Sequence, residues 1–222
     1  MLLKKVLLTQ KMRLAALGAY LDSVGDTMGR AHFVPNNNQL VIAIVGRRGS
    51  GKTLLLTELL RDAFEHKRKV IANYHLRFPY TYLRLEDVAK LPESIHDAAL
   101  GLDELHMAAD SRDFTRKSNR NLSTLFTQMR KRRCTVYYTT QFQSQIDKRI
   151  RQHTDVLIHC EPTDVPGVIR ATVHDAPALM FSHVRDTILN RFVFDGRGIF
   201  DLYDTNEVIT WEDDEDDEDT DA

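Results

Sequence analysis

The sequence predicts an α/β protein in which helices flank a parallel core sheet and a small antiparallel extension follows on the C-terminal side. From residue 40 to about residue 160, short apolar or β-branched runs alternate with helical patterns, and such alternation is typical of a parallel sheet. The first run is apolar throughout, as in a strand buried on both faces. After Pro166, two strand patterns follow each other without a strong helical pattern between them, which favours an antiparallel extension or edge of the sheet.

Seven strands and two helices are predicted along the body of the chain. The strands cover residues 40–45, 69–74, 98–102, 134–140, 155–160, 168–173 and 188–194. The first helix is predicted over 53–65, where leucines recur at helical spacing. The second is predicted over 118–133, because Leu125, Phe126 and Met129 continue a helical stripe and Ser118 offers an N-cap.

The 222 residues divide into an N-terminal arm over 1–39, a body over 40–210 and an acidic tail over 211–222. Apolar residues from Leu14 to Met28 form a helical stripe in the arm, which either packs on its own domain or docks on a neighbouring subunit. The tail is predicted to be disordered.

Charge is distributed unevenly, although the net charge is only −2. Nine of the 32 acids lie in the tail, which leaves 23 acids against 30 Lys and Arg residues, a balance of about +7. A basic body with an acidic tail favours a polyanionic partner, and solubility explains the same pattern equally well.

Composition excludes several classes of protein. No run of about 18 apolar residues is present, which argues against a membrane-spanning helix. The apolar stretch at residues 6–8 is too short for a signal-peptide core, so secretion is not expected. The two cysteines, Cys134 and Cys160, are too few for a disulfide framework or a cysteine-rich zinc site, and they favour a reducing compartment.

A motif between the first predicted strand and the first predicted helix fits the phosphate-binding loop pattern G-x-x-x-x-G-K-[ST]. Its residues are Gly46, Arg47, Arg48, Gly49, Ser50, Gly51, Lys52 and Thr53. Glycines let successive N–H groups turn inward around a phosphate, and the following helix presents its N-terminus to the same anion. Lys52 adds positive charge for the β- and γ-phosphates, and the Thr53 hydroxyl is a ligand for Mg²⁺. The sequence therefore predicts a nucleotide site for ATP and Mg²⁺, with no motif that separates ATP from GTP.

Two carboxylates, Asp103 and Glu104, come directly after the predicted strand 98–102. An acid at that strand end is suited to hold Mg²⁺ through water, and its neighbour is suited to orient and deprotonate an attacking water. The alternative is that both acids cap the helix that follows. The nearby His106 is treated as incidental. Catalysis is the favoured interpretation, because the phosphate-binding loop precedes the pair.

Two further polar groups complete the candidate site. Gln141 closes the predicted strand 134–140, where it would contact the γ-phosphate or the attacking water. Arg130 continues the apolar stripe of the second helix, and an arginine from a neighbouring subunit stabilises the charge of phosphoryl transfer in other NTPases. The alternative is that Arg130 only complements the helix C-terminus. The rivals for the arginine role are Arg112, Arg116 and Arg120.

Four segments resemble the FtsK/HerA-type ring ATPases, and in particular the genome-packaging ATPases of membrane-containing viruses. They are VIAIVGRRGSGKT at 41–53, LGLDE at 100–104, QMRKRR at 128–133 and VYYTTQ at 136–141. The arginine eleven residues before a strand-terminal glutamine is particular to that family, and here it gives Arg130 and Gln141. Residues 145–155 also look like the segment that follows this strand in packaging ATPases and in filamentous-phage assembly ATPases.

The resemblance implies a RecA-like P-loop NTPase of the ASCE type, with five core strands in the order 5-1-4-3-2. It implies a ring, expected to contain six subunits, that threads double-stranded DNA. The partners implied are double-stranded DNA, bound without sequence preference, and a viral capsid or vertex protein, with the protein in the host cytoplasm or the virion. Two basic clusters would then line a pore or be merely solvated: Arg112, Arg116, Lys117 and Arg120, and Lys148, Arg149 and Arg151.

The function expected is therefore an ATP-driven motor that packages double-stranded DNA into a preformed particle. Three alternatives stay open: a filamentous-phage-type assembly or export ATPase, a nucleotide-gated assembly protein that moves nothing, and a small-molecule kinase. A membrane helix after the ATPase domain is usual in the phage assembly proteins, and this sequence has none.

Overall fold

A computed structural model describes residues 40–84, 87, 91–106, 116–180 and 188–204. The predicted N-terminal arm (1–39) and acidic tail (211–222) therefore lie outside the described residues. So does Arg112, and the side chains of Arg116, Lys117 and Arg120 are outside the description as well.

Eight strands form one mixed sheet in the order β3-β2-β4-β5-β1-β6-β7-β8. The strands are β1 (Val41–Val45), β2 (Lys69–Ala72), β3 (Thr81–Tyr82), β4 (Ala98–Leu102), β5 (Thr135–Thr140), β6 (Val156–Pro162), β7 (Val168–Asp175) and β8 (Ile188–Asp195). Every pairing from β3 to β6 is parallel. The pairs β6–β7 and β7–β8 are antiparallel, which confirms the predicted fold class and its antiparallel extension.

The order of the five predicted core strands is confirmed too. These strands are β1, β2, β4, β5 and β6, and across the sheet they run β6-β1-β5-β4-β2. This is the 5-1-4-3-2 arrangement implied by the family resemblance. As a result, β4, which precedes the acidic pair, is separated from β1, which precedes the phosphate-binding loop, by β5 alone.

Four α-helices are described: α1 (Lys52–Glu65), α2 (Arg116–Lys131), α3 (Lys148–His153) and α4 (Ala176–Met180). The first two are the predicted helices, each beginning one or two residues earlier than expected. The short elements β3, α3 and α4 were not predicted, because two to six residues show too little periodicity to be recognised.

The core has two parts, one on each face of the sheet. On one face, the leucines of α1 pack with Ile42 and Ile44 of β1 and with Ile169 of β7. On the other face, α2 contributes Phe126 and Met129. Helix α1 lies close against β4, because a Cβ atom at Gly101 would stand 2.5 Å from Leu60 Cδ1.

The end of the described chain crosses back over the sheet. After β8, a short 3-10 turn covers Phe200–Leu202, and the Leu202 carbonyl accepts a hydrogen bond of 2.8 Å from the Arg77 N–H. Tyr203 forms an antiparallel bridge with Leu76, and the Tyr203 ring meets Tyr74 edge-on at 6.4 Å between centroids. This C-terminal segment (residues 196–204) is thereby fixed beside the residues that follow β2.

Candidate functional site

The predicted phosphate-binding loop connects β1 to α1, at the carboxyl end of a parallel strand. Gly51 has φ +82° and Gly49 has φ +75°, a left-handed region that favours glycine. Gly51 has a second constraint, since a Cβ atom there would lie 2.5 Å from Ile169 Cγ2. The loop shape therefore depends on the glycines that the motif requires, and β7 packs directly against it.

Two polar groups of the loop are buried and available for an anion. Lys52 is only 6% exposed, and its Nζ donates a hydrogen bond of 3.2 Å to the Arg47 carbonyl. Ser50 Oγ is buried, and within the described residues it has no hydrogen-bond partner. A buried ammonium is stable only when it is paired or well hydrogen-bonded. The loop is thus suited to receive a phosphate group, which would satisfy both atoms.

Asp103 lies beside the start of α1, with hydroxyl groups directed at its carboxylate. Thr53 Oγ1 donates to Asp103 Oδ2 at 2.9 Å, and Thr139 Oγ1 donates to Oδ1 at 2.6 Å. Burial raises the pKa of the Asp103 carboxyl above its ordinary value, while these hydroxyl groups act in the opposite direction. A buried carboxylate beside a threonine hydroxyl is a pair of oxygen ligands of the kind that Mg²⁺ binds together with substrate phosphates.

Glu104 follows in an unusual backbone conformation. Its φ is +50°, a region that costs a non-glycine residue about 1–2 kcal/mol. The Glu104 N–H donates to Thr139 Oγ1 at 2.8 Å, which helps to fix this conformation. The Glu104 carboxylate borders the cleft described below, and its Oε2 lies 3.7 Å from His106 Nε2. His106 is therefore a neighbour of Glu104, although the sequence offered no reason to single it out.

Two residues support the site: Thr139, which lies within the segment 136–141 singled out in the sequence, and Asn73, which sequence reasoning missed. Asn73, just after β2, accepts a hydrogen bond from the Asp103 N–H at 2.6 Å and donates one to the Asp103 carbonyl at 2.9 Å. The Thr139 hydroxyl, near the end of β5, donates to the Asp103 carboxylate and accepts from the Glu104 N–H, as described above. Both lie at carboxyl ends of strands adjacent to β4, where polar residues converge in parallel sheets, and that position is the signal that would have found Asn73.

Five of the eight predicted loop residues, the acidic pair and Gln141 border one cleft of about 740 Å³, whereas Gly46, Arg47 and Ser50 are not among its bordering residues. At one end are the phosphate-binding and acidic residues: Arg48, Gly49, Gly51, Lys52, Thr53, Asp103, Glu104 and Gln141. The other end is bordered by the loop between β6 and β7 and by Phe200, Tyr203 and Asp204 of the C-terminal segment. Sequence reasoning did not predict this second wall. Its Tyr203 is buried, which raises the pKa of the phenol to about 12, and the charge of Asp103 adds to the effect.

Arg130 lies apart from this cleft, at the amino end of the parallel strands. Its Nη2 contacts Asp155 Oδ1 at 2.8 Å, and Asp155 Oδ2 accepts a hydrogen bond from the Val41 N–H at 2.9 Å. Val41 begins β1, and the phosphate-binding loop follows the last residue of β1. Arg130 and the loop of its own chain are therefore at opposite ends of the parallel strands.

Other basic side chains are exposed. Arg47 and Arg48 are exposed at the tip of the phosphate-binding loop, and Lys148 and Arg149 are exposed on α3. Arg151 is half-buried. Within the parts of the chain that the structure describes, no helix is long and apolar enough to cross a membrane.

Residues 42–162 match the sequence model of the ATPase family associated with various cellular activities (AAA). This segment is slightly more than half of the 222 residues. No curated protein matches the chain significantly in sequence.

Several solved structures share the fold. The N-terminal domain of zonular occludens toxin from Neisseria meningitidis is 21% identical, with a TM-score of 0.48, over 74% of this chain and 98% of that one. The flagellar accessory protein FlaH from Methanocaldococcus jannaschii is 13% identical, with a TM-score of 0.47, over 70% and 84%. The genome packaging NTPase from Sulfolobus turreted icosahedral virus 2, in complex with AMP, is 13% identical, with a TM-score of 0.44, over 64% and 95%. Identities and scores this low do not transfer those proteins' activities to this chain.

Proposed function

Because the chain belongs to the ATPase family associated with various cellular activities (AAA), we propose that it is a Mg²⁺-dependent ATP-hydrolysing motor that moves viral double-stranded DNA into a preformed particle. The observation that carries the hydrolytic part is a single cleft bordered by Lys52, Thr53, Asp103 and Glu104. Phosphate binding and water activation need these groups within reach of one substrate.

Lys52 and the N–H groups of the loop bind the phosphates in this proposal. The start of α1 presents unpaired N–H groups and a partial positive charge to the same anion. Lys52 Nζ, now directed to the Arg47 carbonyl, gains a charged partner when a nucleotide binds. The exposed Arg47 and Arg48 add positive charge at the mouth of the loop, which attracts the polyanionic substrate.

Thr53 and Asp103 are the residues that would hold Mg²⁺. The contact between the Thr53 hydroxyl and the Asp103 carboxylate brings two oxygen ligands together at the end of the phosphate-binding loop, and a buried carboxylate gains from a nearby cation. Bound there, Mg²⁺ would neutralise charge on the β- and γ-phosphates. Thr139 and Asn73 position Asp103 through its carboxylate and its backbone.

Glu104 acts as the general base. Its carboxylate accepts a proton from the water whose oxygen bonds to the γ-phosphorus, while the bond from that phosphorus to the bridging oxygen breaks and ADP leaves. Gln141 borders the same cleft and orients the attacking water or senses the γ-phosphate. Glu104 is 31% exposed at its side chain, so that water reaches it from the cleft.

Arg130 is proposed to act on the nucleotide of an adjacent subunit in a ring. Its position at the amino end of the strands, away from its own loop, supports a role in trans over one in cis. We expect Arg130→Ala to be inactive alone and partly active when mixed with Lys52→Ala subunits. An interface is restored where the loop comes from an Arg130→Ala subunit and the arginine comes from a Lys52→Ala subunit. The measurement is ATP hydrolysis across mixing ratios, with Arg133→Ala, at another exposed arginine of the same region, as the control. Absence of recovery at every ratio would remove the role in trans.

Contact with DNA is proposed to run through exposed basic residues, including Lys148 and Arg149 of α3. The Asp147 carboxylate caps this helix by accepting a hydrogen bond from the Arg149 N–H at 2.7 Å. The cap fixes the start of the helix and therefore the direction in which the Lys148 and Arg149 side chains extend into solvent. Contacts between cations and DNA phosphates are independent of sequence and weaken steeply with salt.

The experiment that tests the motor is ATP hydrolysis by the purified protein with and without double-stranded DNA, at low and moderate salt. We expect hydrolysis to rise with DNA and the increase to fade as salt is raised. Hydrolysis that ignores DNA would favour a nucleotide-gated assembly protein. Phosphate transfer to an added small molecule would favour a kinase, and stimulation by single-stranded DNA only would favour an export ATPase of the phage assembly type.

A further inference from the structure

The cleft extends well beyond the groups that the phosphates need. Its volume of about 740 Å³ is within the range of about 300–1,000 Å³ that is usual for sites of small organic ligands. One end is polar and charged, as described above. At the second end, the bordering residues from Pro162 to Ile169 are uncharged, and Asp204 of the C-terminal segment is charged. The side formed by the loop between β6 and β7 is therefore suited to an uncharged, flat group.

Two large apolar side chains are exposed at this end. Val165 is 48% exposed and Phe200 is 41% exposed, and both border the cleft. Exposed apolar side chains that border a cleft are a common feature of ligand sites. The Phe200 ring is also an aromatic surface on which a nucleobase can stack, and such stacking tolerates different bases because every base has a π-face.

The Phe200 ring is held in place by the loop between β6 and β7. A Cβ atom at Gly167 would lie 2.7 Å from Phe200 Cε2, so the ring rests on the bare glycine backbone. The Gly196 N–H donates to the Gly167 carbonyl at 2.8 Å, and the carbonyl of Leu202, two residues after Phe200, accepts from the Arg77 N–H. Phe200 is therefore positioned before any ligand binds, which reduces the entropy lost on binding.

The same loop offers few hydrogen-bond donors to a base. Pro162 and Pro166 have no N–H group. The Val165 N–H donates to Thr163 Oγ1 at 3.2 Å, and the Val168 N–H donates to the Val165 carbonyl at 3.0 Å. A base in this position would be held by stacking and apolar contact more than by directed N–H groups, and those contacts do not distinguish adenine from guanine.

We propose that Phe200 and Val165 form the subsite for the nucleobase, and that this subsite favours purines over pyrimidines while separating ATP from GTP only weakly. The inference rests on the proposed function, because it assumes that the polar end of the cleft binds the triphosphate. It assigns the C-terminal segment a direct part in substrate recognition.

The test is calorimetric titration of the full chain with ATP, GTP, CTP and inorganic tripolyphosphate, with Mg²⁺ present. We expect ATP and GTP to bind within about threefold of each other and CTP to bind roughly fivefold more weakly, because a pyrimidine has less surface to stack. We expect Phe200→Ala to weaken ATP binding about tenfold and to leave tripolyphosphate binding unchanged, and Phe200→Trp to restore ATP binding.

Two controls separate this proposal from the proposed function. Tyr82→Ala removes an aromatic side chain of similar exposure, 47%, from the edge strand β3 at the far side of the sheet from β6 and β7, and it should leave all affinities unchanged. Lys52→Ala should abolish binding of ATP and tripolyphosphate alike. Equal effects of Phe200→Ala on ATP and tripolyphosphate, or no effect on either, would overturn the subsite. Failure of the unmodified chain to bind either compound would overturn the proposed function instead.

Discussion

Four arginines at the amino end of the parallel strands and two polar residues of the phosphate-binding loop at the carboxyl end differ in their hydrogen-bond partners. At the amino end, arginines are bonded to carbonyls, hydroxyls and carboxylates of the same chain: Arg68 to Ala98 and Thr135, Arg130 to Asp155, Arg132 to Pro92 and Gln128, and Arg133 to Asp97. At the carboxyl end, the described residues leave Ser50 Oγ without a partner and Lys52 with a backbone carbonyl alone. Polar groups that are hydrogen-bonded to each other stabilise the sheet, whereas buried polar groups without such a partner indicate a ligand site.

The largest effect is expected at the carboxyl end, from Glu104→Gln. An amide keeps the shape of the side chain but accepts no proton, so we expect turnover to fall by about 10²–10⁴-fold while ATP affinity is retained. Steady-state hydrolysis and calorimetric ATP binding measure the two quantities. Normal turnover in this variant would assign the base to another residue and weaken the distinction between the two ends.

The next effect is expected from Thr139→Val, which removes the hydroxyl that joins Asp103 and Glu104. Residues that position a metal ligand or catalytic group through a hydrogen bond typically contribute about 10–100-fold to activity. We therefore expect turnover in Thr139→Val to fall by about 10–100-fold.

Thr135→Val is the matched control for this change, since it alters a buried threonine at the amino end of the same strand. It should lower stability and leave turnover unchanged. Equal loss of turnover in the two variants would mean that strand stability, not position, explains the result.

At the amino end, Arg130 has its proposed role in trans, whereas changes at Arg68 and Arg133 are expected to affect stability in place of turnover. Arg68 donates to the Ala98 carbonyl at 2.7 Å and to Thr135 Oγ1 at 3.0 Å, and we expect Arg68→Ala to lower the free energy of unfolding by about 1–2 kcal/mol. Arg133 is 60% exposed in its ion pair with Asp97, and its loss should cost less than about 1 kcal/mol. Urea unfolding measures both, and a substantial loss of ATP turnover in Arg68→Ala would contradict the assignment.

The last effect concerns stability at alkaline pH alone and comes from titration of the Cys160 thiol. Burial raises the pKa of Cys160 from 9.0 to about 12, so between these values the folded chain keeps a proton that the unfolded chain loses. Stability should be complete below about pH 9 and fall as pH rises toward 12, by at most about 1.4 kcal/mol per pH unit for this group.

Cys160→Ala should remove the part of the decline that begins near pH 9. Tyr138 and Tyr203, whose pKa values burial also raises to about 12, would still lower stability above their ordinary value of 10.0. An unchanged pH profile of unfolding in Cys160→Ala would contradict the prediction.

The sequence predicted the fold class because the patterns that indicate it are local, and the loop and the acidic pair were recognisable for the same reason. The strand and helix patterns each lie within a short window, and the phosphate-binding loop is eight consecutive residues. The strand order was available only through the family resemblance, since periodicity does not say which strands are neighbours. The short strand β3 was missed because two residues carry no pattern.

The rest of the cleft depends on contacts between distant parts of the chain. Asn73 and Thr139 meet Asp103 only because β2 and β5 flank β4. Phe200 reaches the loop between β6 and β7 because Asp195, at the end of β8, pairs with Val168, at the start of β7. No motif marks Asn73 or Phe200. The ion pair of Arg130 with Asp155 was likewise invisible in the sequence, and it gives this arginine a structural contact beside its proposed role in trans.

The bridge between Leu76 and Tyr203 also sets the order in which the cleft is completed during synthesis. A chain grows from its N-terminus and its domains fold as they emerge from the ribosome. The phosphate-binding loop emerges early, but the wall that contains Phe200 and Tyr203 emerges near the end of the body. A nascent chain that stops before Phe200 therefore lacks the second wall of the cleft, and full affinity for a nucleotide is acquired only after Phe200 and Tyr203 have emerged.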